Sequence, residues 1–132
     1  MHERILPTDV FEPVPGLYTQ LIACQAGDRF EIAGTLPYHQ DGSLDPDLAT
    51  QSAVVMENIG RTLASAGLER SDIVRINIFT IDMDGFLRTS LDTVFGWFGA
   101  HRPTSTLVEI RRLANPNILV EIEAVAIRAE RD

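Results

Sequence analysis

Lysine is absent from this chain, and cysteine and tryptophan occur once each. No apolar run reaches the roughly 20 residues that a membrane-spanning helix needs. The first absence leaves 11 arginines as the whole basic complement against 19 Asp and Glu, for a net charge of −8. A protein that holds a polyanion needs a basic face to release counterions, so nucleic acid is disfavoured as a partner. Arg102, Arg111 and Arg112 read as solvated strand residues or as ion-pair partners of nearby glutamates. The single Cys24 excludes an intrachain disulfide and fits a reducing compartment. Placed in an apolar stretch, it reads as a small core residue. With no spanning segment, and no signal-peptide core after Met1-His2-Glu3-Arg4, the expectation is a cytoplasmic protein without a membrane partner. His2, His39 and His101 are scattered and show no metal-ligand spacing, so neither a metal nor another cofactor is expected.

What is present suits a globular chain. Hydrophobic residues make up 45% and charged residues 23% of the 132 positions, which fits one domain over residues 1–132 with a real core. Leu17 to Ala26 and Arg29 to Ala33 are β-type runs separated by Gly27-Asp28, a hairpin signal. Asp45-Pro46 supplies an N-cap followed by proline at the first helical position. Leu48, Val55, Ile59, Leu63 and Ala66 then share one helical face, with Gln51, Asn58 and Arg61 off it and Gly67 as the stop. Ile73 to Ile81 alternates as a strand, with Arg75 and Asn77 opposing Val74, Ile76 and Ile78. Asp82 or Asp84 can cap a second helix over Phe86 to Gly99, where Leu87, Leu91, Val94, Phe95 and Phe98 keep helical spacing and Trp97 stands near the end.

Two closing runs, Pro103 to Leu113 and Ile118 to Ile127, read as a strand pair. In the second, Ile118, Val120, Ile122 and Ala124 point one way, while Leu119, Glu121, Glu123, Val125 and Ile127 point the other. A strand apolar on both faces wants cover on both, so its two carboxylates must meet a pocket, a partner or a subunit boundary. Glu121 also has a plain structural option, a cross-strand pair with Arg111 or Arg112. The order β-β-α-β-α-β-β predicts an α+β, two-layer domain: a mixed, mostly antiparallel sheet with two helices on one face. The other face is left without a partner.

At these residues the chain resembles the YjgF/RidA family. The stretch PTSTLVEIRRLANPNILVEIEAVAI is similar to the family's C-terminal signature, a Pro-Ala-Arg-Ser/Thr segment leading into a Val-Glu-Val strand and then a hydrophobic-Glu-Ile-Glu-Ala strand. Gly16, Tyr18 and Gln20, the run Phe30 to Pro37, the helix Gln51 to Gly67 and the segment Ile73 to Phe86 extend the likeness over nearly the whole chain. The resemblance implies a chorismate-mutase-like fold and a homotrimer with pockets at its subunit boundaries. It also implies hydrolysis of reactive enamines or imines to a carbonyl compound and ammonia. On that basis Glu121 matches the glutamate that positions the attacking water. Tyr18, Ala33, Gly34 and Thr106 match pocket-lining positions around a small-molecule metabolite. Ser105 stands where the family has an arginine that grips the substrate carboxylate. That departure points to a diverged hydrolase or to a non-catalytic metabolite-binding trimer, ahead of a ribonuclease or translation inhibitor. Arg75 is the neighbouring-strand candidate for the missing clamp, whereas Arg102 should point away from Ser105.

Overall fold

In the computed structural model, which describes residues 2–12 and 14–130, the main sheet is built around the last strand. It has four strands in the order β3 (Arg29–Thr35), β6 (Val120–Ile127), β4 (Ile73–Thr80) and β5 (Thr104–Glu109). The contacts β3–β6 and β6–β4 are antiparallel, and β4–β5 is parallel. A separate two-stranded ribbon pairs β1 (Glu3–Ile5) with β2 (Leu21–Ala23). Three helices complete the fold: α1 (Leu48–Ser65), α2 (Met83–Thr89) and α3 (Leu91–Gly96).

The inward rows of β4 and β6 explain why this sheet forms. Ile76, Ile78, Val120, Ile122 and Ala126 are each fully buried, and they pack with Val55, Ile59 and Leu63 of α1 in one cluster. Each large aliphatic chain so buried contributes roughly 2 kcal/mol. Leu119, Glu121, Glu123, Val125 and Ile127 alternate with that row and remain half-exposed, as the period-two pattern predicts. The four-stranded sheet thus has one helix-covered face and one open face, which matches the expected α+β layering.

Several sequence expectations are corrected. Gly27-Asp28 does not turn a hairpin between neighbouring strands, because β2 pairs with β1 and β3 with β6. A Cβ on Gly27 would lie 2.4 Å from the Arg128 carbonyl oxygen, and the Arg128 amide donates to the Asp28 carbonyl at 3.0 Å. The turn is therefore packed onto the end of β6. The two closing runs are not sheet neighbours either: β4 lies between β6 and β5, since the helical crossover from β4 returns the chain parallel to it. The single expected second helix is two, divided at Ser90, where φ stretches to −118° and the buried hydroxyl accepts from Ser52 at 2.8 Å. Cys24 is exposed rather than in the core.

Helix α1 shows how local chemistry sets the ends. Asp47, not Asp45, is the N-cap, accepting from the Thr50 amide at 2.9 Å; the Thr50 hydroxyl and amide hold its carboxyl below the usual range. Asp45 instead meets His39 at 2.6 Å. At the other end Gly67 adopts φ +68°, and the amides of Gly67 and Leu68 donate to the carbonyls of Ala64 and Leu63. These two bonds form a Schellman stop. Gln51, expected off the buried face, is fully buried. Its Nε2 donates to the carbonyls of Asp45 and Asn117 at 2.8 and 2.9 Å, and its Oε1 accepts from the Leu119 amide at 2.8 Å. The amide clamps α1 to the approach of β6.

Replacing Gln51 by Leu strands two carbonyls and one amide, each worth about 1 to 3 kcal/mol when buried and unpaired. Urea denaturation of Gln51→Leu should show a loss of about 3 kcal/mol or more. A second prediction concerns pH. Burial holds the His101 imidazole below its ordinary 6.5, with Arg4, His2 and Arg102 adding repulsion and its bond to the Ile73 carbonyl opposing them. On acidification the unfolded chain takes up this proton first, so its contribution is full above about 6.5 and is lost as pH falls below it. Urea midpoints should fall between about pH 7.5 and about pH 5.5, and His101→Gln should flatten that decline.

Candidate functional site

The open sheet face carries the candidate chemistry. From β5 to β3, neighbouring residues on this face include Thr106 and Asn77, then Asn77 and Glu123, and Arg75 with Val125 and Glu31. Phe79 lies beside Glu121 in the β4–β6 register. Thr106 and Arg75 are exposed, and Asn77, Glu121 and Glu123 are half-buried.

Glu121 is seated by a bulge. Between the pairs Ile32–Ala124 and Thr35–Ile122, β3 has two residues, Ala33 and Gly34, against the single Glu123 of β6. Such an extra residue bends the strand and re-aims nearby side chains. A Cβ on Gly34 would lie 2.8 Å from Glu121 Cδ and 2.9 Å from its Oε2. Gly34 has no positive φ, so its lack of a Cβ matters here for the space it leaves to the Glu121 side chain rather than for a backbone turn. Gly34 thus lies against the Glu121 side chain, with Ala33 beside it in the bulge.

Ser105 is on the other side. It pairs with Ile76, and register partners in a sheet point to the same face, so Ser105 shares the helix-covered face at the outer margin of the edge strand. Thr106, one residue on, shares the open face with Asn77. Tyr18 is half-buried against the hydrophobic core. Within one chain, then, Ser105 and Glu121 do not meet across a common pocket.

Several basic groups have assigned partners. Arg102 donates to the carbonyls of Gly16, at 3.0 Å, Gly99 and His101, which removes it as a substitute clamp. Arg112 donates to the carbonyls of Leu113 and Ala114; among the described residues the ion pairs are Arg29–Glu31 and His39–Asp45, so the cross-strand pair of Glu121 with Arg111 or Arg112 does not form. Arg75 Nη2 donates to Thr106 Oγ1 at 3.1 Å. The sequence analysis missed one link, Asn77 Nδ2 donating to Glu123 Oε1 at 3.0 Å. Its signal was present, as Asn77 and Glu123 both fall on the outward row of their strands.

The relatives of the chain agree with this architecture. The family model described as Endoribonuclease L-PSP matches residues 12–128. The RutC family protein PH0854 of Pyrococcus horikoshii is 31% identical over 136 residues, covering 97% of this chain and 99% of that protein. The 2-iminobutanoate/2-iminopropanoate deaminase of Escherichia coli is 29% identical over 105 residues, covering 77% of this chain and 81% of its own length. Among solved structures, the Rid-family protein YyfB of Yersinia pestis superposes with a TM-score of 0.89 at 25% identity, covering 96% of this chain and 98% of that one. With the fold and these likenesses in agreement, the chain belongs to the YjgF/RidA family.

Proposed function

We propose that the protein is a diverged enamine or imine hydrolase whose pockets form where copies of the chain meet in a homotrimer. The observation that carries this reading is the placement of the Glu121 carboxylate on the open face, held against the Cβ-free backbone of Gly34. Family members named as deaminases support the reaction class. The opposite facing of Ser105 and Glu121 supports a shared boundary, since only a second copy can set one chain's edge strand against another's open face.

In this reading a water held by Glu121 attacks the electrophilic carbon of the imine, with the carboxylate taking the water's proton. The Glu121 carboxyl returns that proton to the imine nitrogen, giving a neutral carbinolamine; as its hydroxyl proton passes to the amine the carbon–nitrogen bond breaks, and ammonia leaves as the carbonyl forms. Ala33 and Gly34 shape the floor of the pocket, and Tyr18, Ser105 and Thr106 supply polar lining. No cofactor is called for. Ser105 presents one hydroxyl in place of a planar fork, and loss of such a clamp typically costs about 2 to 5 kcal/mol in binding. The preferred substrate is therefore one that does not depend on a carboxylate grip at position 105. The same departure favours, as the second reading, a trimer that binds a metabolite without turning it over. Cytosolic residence suits either reading, and the net charge of −8 argues against RNA as the substrate.

The test generates 2-aminoacrylate in situ and traps it with semicarbazide. Wild type should accelerate loss of the trapped product weakly, Ser105→Arg by at least tenfold more, and Glu121→Ala not at all; undiminished turnover in Glu121→Ala would remove that residue from the mechanism. Gly34→Ala should keep its melting temperature but lose turnover, because the new Cβ displaces the end of the flexible Glu121 side chain. Light scattering should give about three times the 14.6 kDa chain mass, and a monomer at micromolar concentration would overturn the boundary pocket.

A further inference from the structure

Glu121 has neighbours that the hydrolase reading does not use. Across the β4–β6 register it lies beside Phe79, and across the β4–β5 register Phe79 lies beside Val108. The three side chains therefore form one row on the open face, with Gly34 against Glu121 on the β3 side. Phe79 is half-buried and Val108 is 37% exposed. The carboxylate thus stands between hydrocarbon on one side and a residue without a side chain on the other, and it has no ion-pair partner among the described residues.

The arginines on or beside the four strands do not change this balance. Arg29 pairs with Glu31 at 2.7 Å, and Arg102, Arg112 and Arg128 donate to backbone carbonyls. Arg75 shares the open face but lies four residues back along β4 from Phe79, about 13 Å at the rise of a strand. That is too far for its guanidinium to meet a group bonded to the carbon under attack at Glu121. Arg111, exposed just past β5, is the one left without a partner in this set. A second copy brings the same side chains again.

A carboxylate on the substrate would sit one bond from the reacting carbon, beside Glu121, with no cation between the two like charges. An imine without a carboxylate brings no such repulsion, and positive charge gathering on its nitrogen is favoured by Glu121. Phe79 and Val108 then offer contact to a hydrocarbon substituent.

We infer, resting on the reading that Glu121 holds the attacking water, that the substrate class is the imine of a primary monoamine: a hydrocarbon chain with one nitrogen and no carboxylate, lying against Phe79 and Val108. The reaction that supplies it is a two-electron amine oxidation. R–CH2–NH2 gives two electrons and two protons to a flavin oxidase, which passes them to dioxygen as hydrogen peroxide, and R–CH=NH remains. Hydrolysis adds water and releases ammonia and the aldehyde R–CHO, which a carbonyl-oxidising or carbonyl-reducing step must then consume.

Two imines that differ only in the carboxylate test this: 3-methylbutan-1-imine, formed from 3-methylbutylamine by a flavin amine oxidase, and 4-methyl-2-iminopentanoate, formed from L-leucine by an L-amino-acid oxidase. In parallel reactions, peroxide read through peroxidase marks imine formation and ammonia read through glutamate dehydrogenase marks hydrolysis, so the lag between them is the lifetime of the imine. The native protein should shorten the lag of the amine-derived imine with a kcat/KM at least tenfold above that for the leucine-derived one. Lengthening the amine from ethylamine to hexylamine should raise kcat/KM in wild type and leave it nearly flat in Phe79→Ala and in Val108→Ser, the second keeping the circular dichroism and oligomeric mass of wild type. Arg75→Met and Arg111→Gln should leave the preference between the two imines unchanged. Shortening of neither lag overturns the hydrolase reading and this inference together. Equal or better turnover of the leucine-derived imine overturns the substrate class alone and leaves the hydrolase reading standing, and a chain-length dependence that persists in both Phe79→Ala and Val108→Ser overturns the assigned apolar contact.

Discussion

The fold and the site both hang on the threading of β6 between β3 and β4. Its inward residues, Val120, Ile122, Ala124 and Ala126, are buried against α1 and the neighbouring strands. A slip of one residue would turn that row to the open side and put Glu121 and Glu123 into the core, at a cost no compensating bond in this structure meets. The register is thus fixed by burial on one face, and the carboxylates on the other inherit their positions. Gln51 reinforces this from the helical layer, since its amide holds the backbone just where β6 begins.

The outward row is where the molecule departs from a plain half-buried sheet. Two carboxylates stand two residues apart on β6, and each meets a different local device. Glu121 lies against a glycine in a bulge. Glu123 accepts from an asparagine whose other amide atom is left buried and alone. The first arrangement leaves a carboxylate beside a residue without a Cβ and, among the described residues, without an ion-pair partner, as the proposed water-handling role requires. The second places a carboxylate in a polar cleft that Arg75 also lines.

Much of this was legible in the sequence, and what was not has physical causes. Period-two alternation in Ile73–Ile81 and Ile118–Ile127 reports burial directly, so the two central strands and their faces were readable. The face of α1 was readable for the same reason, except at Gln51, where three specific bonds make a polar residue a core residue. Partnering was not readable. Gly27-Asp28 has the composition of a hairpin turn, yet the long-range packing of that turn on Arg128 decides its role. The closing strands are consecutive in sequence but separated in space, because a helical crossover intervenes. At the site, the closeness of Gly34 to Glu121 depends on a bulge, and the Asn77–Glu123 bond depends on register; neither is a property of a local run.

The parallel edge strand carries a consequence for how such a protein changes over generations. Ser105 sits on the outermost strand, and its side chain is not what sets the register of β6. Its chemistry can be exchanged with little disturbance to the folding core, whereas Glu121 is constrained by the glycine beneath it and the buried row behind it. The two halves of the proposed boundary pocket are therefore unequally free to drift. On the proposed function, ligand preference can wander at the rim while the water-handling centre stays fixed, and a lineage can try new small molecules without first rebuilding its scaffold.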